Sequence, residues 1–75
     1  MTLQECKNRI ENLLYKGKIS DKQVEDIQIY CHKFINENTI NEIERKYFEE
    51  QNATNKDIVE CMLRVIDRLI IKQQK

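Results

Sequence analysis

Residues Asp57 to Ile71 read D-I-V-E-C-M-L-R-V-I-D-R-L-I-I, a run without Gly or Pro in which apolar residues form two overlapping helical series. Ile58, Met62, Val65 and Leu69 follow a 4-3-4 spacing, which is one face of a helix. Val59, Leu63, Ile66 and Ile70 repeat that spacing one residue later, as a second seam beside the first. At about 100° per residue the two seams, with Cys61, span an apolar arc of roughly 200°. Glu60, Arg64, Asp67, Arg68 and Lys72 keep a narrower polar strip, interrupted by Ile71. A helix on the rim of a bundle needs one seam. A helix with two is either the central element or holds one face for another chain.

The remaining composition fits helices around such an element. Pro is absent and Gly occurs once in 75 residues, which argues against sheets with tight turns and for helices joined by polar links. A chain this short buries only about 60% of its unfolded surface, so it forms one domain, residues 1–75, whose core gains from oligomerisation or a partner. Frequent Lys, Ile and Asn with scarce Ala read as the bias of an AT-rich genome, such as a low-GC bacterium or its phages. There is no basic start followed by an apolar run, and no stretch of 18 uninterrupted apolar residues. A cytoplasmic protein with reduced Cys6, Cys31 and Cys61 is therefore expected, without a membrane role.

Capping signals divide the chain into four helices, with a single bent helix from 21 to 50 as the alternative to a break near residues 36–39. Thr2-Leu3-Gln4-Glu5 is a capping-box pattern and Gly17 a left-handed terminator, which bounds helix 1 at about residues 3–16. Ser20-Asp21-Lys22-Gln23 opens helix 2, about 21–36, whose inner stripe is Val24, Ile27, Cys31, Phe34 and Ile35. Thr39-Ile40-Asn41-Glu42 opens helix 3, about 40–50, with Ile40, Ile43 and Tyr47 on one face. Thr54 with Asp57, or Asn55 alone, caps helix 4, about 55–72. The architecture implied is all-α, a compact bundle of three to four short antiparallel helices with the C-terminal helix central. Helix 4 would lay Ile58, Val65 and Leu69 against a hairpin of helices 1 and 2, leaving the second seam incompletely covered.

Few chemistries suit these residues. The three cysteines are widely spaced, each on the apolar stripe of its helix, where a thiol behaves as a small hydrophobe. No metal ligands, cofactor site or catalytic residues are expected: there is one His, no phosphate loop and no nucleophile elbow. Nucleic acid is disfavoured as a partner. Gly17 between two helices imitates a helix-turn-helix, but the apolar register is wrong, and the would-be recognition helix exposes Asp21, Glu25 and Asp26.

A protein partner fits better. The expected interaction residues are Val59, Leu63, Ile66 and Ile70 on the second seam, Tyr47 or Phe48 beside the glutamates around Glu44, and Ile29 on the outer face of helix 2. The expectation is a small interaction module that forms a homodimer or binds another protein. Such a partner would be a host regulatory, replication or transcription factor, met by an adaptor, antirepressor or phage-type inhibitor. A small dimeric DNA-binding regulator and a bacteriocin-immunity-type bundle are the alternatives.

Overall fold

Four reciprocal or single side-chain caps set where the helices begin. A computed structural model describes residues 2–49 and 52–74, as α1 (Leu3–Lys16), α2 (Asp21–Tyr30), α3 (Glu42–Glu49) and α4 (Asn55–Gln73). The Thr2 hydroxyl accepts from the Glu5 N–H at 3.2 Å. Ser20 and Gln23 exchange bonds of 3.2 and 2.9 Å, and Thr54 and Asp57 bonds of 3.1 and 3.4 Å. Each such cap satisfies donors that the first helical turn cannot, and is worth about 1 kcal/mol. Gly17, at φ 87°, ends α1 by donating its N–H to the Leu14 carbonyl. That left-handed conformation suits a residue without Cβ.

Helix α4 is the centre of the bundle and contacts α1, α2 and α3, most extensively α1. Its Val59, Met62 and Ile66 are fully enclosed, in one cluster with Leu3, Cys6 and Ile10 of α1 and Val24, Ile27 and Cys31 at α2. Ile19, in the α1–α2 link, joins the same cluster. The Asn55 side chain pins that link to the start of α4, donating to the Ile19 carbonyl at 2.9 Å and to Asp21 Oδ1 at 2.8 Å. Between α1 and the end of α2, the Arg9 guanidinium lies 4.3 Å from the Tyr30 ring centroid. No helix among the described residues is long and apolar enough to cross a membrane.

Three expectations require correction. The seam facing the α1–α2 pair is Val59, Met62 and Ile66, so Val59 and Ile66 are core residues and not a surface kept for another chain. Leu63 and Ile70 are half-buried and pack against that same core. The reason is that α1, α2 and α3 all pack on α4, so most of the wide apolar arc is covered within one chain.

Helix 2 also ends early, at Tyr30 instead of residue 36. The Phe34 and Ile35 N–H groups both donate to the Cys31 carbonyl, at 2.9 and 2.8 Å. Asn36 then closes a turn in which its N–H donates to Thr39 Oγ1 at 2.9 Å and its side chain accepts from the Asn38 N–H at 2.9 Å. Local side-chain bonds of this kind compete with the helical ladder and win here. Helix 3 starts at Glu42, not residue 40; its expected end at Glu50, and Gln51 after it, lie outside the described residues.

A candidate interaction surface on α3 and α4

The sequence of α3, E-I-E-R-K-Y-F-E, puts Ile43 and Tyr47 on one apolar face, and of the adjacent pair Tyr47 and Phe48 one is expected outside the core. The structure turns the Ile43 and Tyr47 face outward. Ile43 is 76% exposed and Tyr47 36%, whereas Glu44 is only 7% exposed. Two features set this rotation. The helix starts on Asn41: the Glu44 N–H donates to Asn41 Oδ1 at 2.8 Å, and Glu44 Oε1 accepts from the Asn41 N–H at 2.9 Å. Arg68 of α4 then clamps the same carboxylate in a two-pronged pair, Nη1 to Oε2 at 2.7 Å and Nη2 to Oε1 at 2.9 Å. Nη2 also donates to the Thr39 carbonyl, which ties the turn before α3 to the same guanidinium.

Burial by itself would raise the Glu44 pKa. The Arg68 hydrogen bonds, the Asn41 N–H and the positive charges of Arg68 and Arg64 outweigh it and hold the carboxyl below its ordinary value. Arg68 is raised in turn, chiefly by its bonds to Glu44. Nearby, burial and then the Glu44 charge push the Cys61 thiol up. Every buried side-chain polar atom among the described residues has a partner. The Glu44 carboxylate is thus held on both oxygens, which makes the pair a staple between α3 and α4.

Outside the staple, Ile43 and Tyr47 form one wall of a groove whose other wall is Asp57, Glu60, Cys61 and Arg64 of α4. Its volume, about 190 Å³, is small against the roughly 300–1,000 Å³ of small-molecule sites, so it suits side chains of a docking surface better than a bound metabolite. Of the expected interaction residues, only Tyr47 and Glu44 line it, and Glu44 does so as a buried, paired group. Phe48 points away, half-buried against the core. Ile29, 68% exposed, stands elsewhere, beside Gln28 and His32.

Sequence reasoning did not select Ile43, Asp57, Glu60 or Arg64. The available signal was a second capping box, Asn41-Glu42-Ile43-Glu44, overlapping the Thr39 pattern by two residues. Choosing it places Glu44 at the third helical position, where the structure has it. Tyr15, 93% exposed at the end of α1, is a further exposed aromatic.

A larger groove of about 540 Å³ has Ile35, Ile40, Phe48 and Met62 as its apolar lining and His32 and Glu37 among its polar members. The thiols are enclosed. Burial, with Cys6 alongside, pushes the Cys31 thiol up to about 12, and burial also raises Cys6. Such thiols are almost wholly protonated at neutral pH and make poor nucleophiles. Among the described residues no group of three or more His, Cys, Asp or Glu could hold a metal ion. No protein-family model, curated protein or solved structure matches the chain.

Proposed function

We propose that this chain is a protein–protein interaction module whose docking face is the α3–α4 groove, with Ile43 and Tyr47 as its apolar anchors and Asp57, Glu60 and Arg64 as its rim. The observation that carries it is the inverted orientation of α3. A lone bundle gains by turning Ile and Tyr inward and carboxylates outward. Here a buried carboxylate and an Arg clamp hold the opposite arrangement, which supports a surface selected for presentation. Exposed aromatic and aliphatic anchors inside a charged rim are the residues that dominate interface energies.

The test uses a photo-cross-linking aromatic residue introduced at Tyr47 in growing cells, with Tyr15 as the control position. An adduct to protein at Tyr47, absent at Tyr15, is expected. No adduct above the control would remove the docking reading. Ile43→Lys, which places a charge on an exposed site, is expected to abolish that adduct while changing stability by less than about 0.5 kcal/mol in urea unfolding. Unfolding of that variant would mean that Ile43 belongs to the core.

A further inference from the structure

We infer that the occupant of the α3–α4 face is a second copy of this chain, related by a twofold axis; this deepens the docking role proposed above and rests on it. The charge pattern carries the inference. Glu60 and Arg64 are four residues apart on α4 and border the groove, and among the described residues neither is in an ion pair. Asp57 adds a second carboxylate to this rim.

Both signs are therefore interspersed around two exposed apolar residues. A partner of single sign, such as a nucleic acid or a basic peptide, gains little net attraction from such a rim. A second copy gains it twice. A twofold axis crossing α4 midway between Glu60 and Arg64 sets Glu60 of one copy opposite Arg64 of the other, and Arg64 opposite Glu60. This reciprocal matching is the requirement of an isologous interface. Ile43 and Tyr47, on the neighbouring helix, then cover the apolar stems of the paired side chains and exclude water from them. With two apolar anchors per copy, the contact belongs with small, transient interfaces, and micromolar dissociation is expected.

Sedimentation equilibrium from micromolar to millimolar concentration tests this directly. The average mass is expected to rise from that of the 9.1 kDa chain toward twice that value. Glu60→Arg alone and Arg64→Glu alone should each move the midpoint at least about tenfold higher in concentration, and the double exchange E60R/R64E should bring it back to within about threefold. Helix content and urea unfolding, read on each variant, confirm that all three fold. A mass of one chain at every concentration would overturn the inference, as would a double exchange no better than the singles. The Tyr47 adduct separates this failure from that of the docking role: an adduct heavier than one chain by some other mass keeps the face and refutes the second copy.

Discussion

Arg68→Ala is expected to destabilise the bundle by about 2–3 kcal/mol in urea unfolding. Breaking a buried ion pair costs about 3–5 kcal/mol when the remaining charge is left without a partner. Here the figure is discounted because the Arg68 side chain is 40% exposed and water can reach it, although the Glu44 carboxylate is buried. The same substitution also strips the Thr39 carbonyl of its Arg68 bond and loosens the turn before α3. For a domain of this size, with total stability of about 4–10 kcal/mol, that is a large share. Replacing both partners by apolar residues of similar size, Arg68→Met with Glu44→Leu, should recover most of the loss, because no buried charge then remains. If Arg68→Ala is neutral, α3 is not held by this clamp.

The pair also implies a pH dependence of definite sign. The folded-state pKa of Glu44 lies below its ordinary 4.5, so its contribution is complete above that value and is lost as pH falls through the depressed one. Relative to the unmodified protein, Glu44→Gln should flatten the acid side of the stability profile in that window.

The second large effect concerns the seam on α4. Ile66→Ala should cost about 3–4 kcal/mol, since Ile66 is fully enclosed and the cavity left behind is walled by α1 and α2. Ile71→Ala, at a position 60% exposed on the same helix, should stay within about 0.5 kcal/mol. Equal effects at the two positions would show that α4 is rotated from the orientation described. Ile66→Lys, which would test an exposed seam by abolishing association, is instead expected to unfold the monomer.

Much of the fold was legible because capping chemistry is local. Ser20 with Gln23, Thr54 with Asp57, and Gly17 each name a helix end within four residues, and the structure uses all three. The central position of α4 followed from the width of its apolar arc. Which part of that arc meets α1 could not follow, because Val65 and Ile66 are equally apolar and only the placement of three neighbours separates their environments. Both turn out to be fully buried.

The 31–36 segment misled for another reason. Phe34 and Ile35 continue the helical stripe and do pack on the core, but they reach it from a turn shaped by Asn36 and Thr39. The α3 face was the least legible part. Two overlapping capping boxes, starting at Thr39 and at Asn41, give helix phases two residues apart. The choice between them is made by Arg68, 24 residues away from Glu44, whose bidentate grip makes burial of a carboxylate tolerable. Periodicity ranks Glu44 as surface and Ile43 as core; a long-range charge pair reverses the order.

That reversal is the central claim, and the titration of Glu44 tests it most directly. Carboxyl-carbon NMR of the folded protein between neutral and acid pH should show Glu44 titrating below the ordinary glutamate value, and Arg68→Ala should remove that depression. This holds whether the chain is single or paired, since Glu44 faces α4 of its own copy. A Glu44 that titrates at the ordinary value, unaffected by Arg68→Ala, would place it in solvent and Ile43 inside, and would contradict the presented face on which the functional account rests.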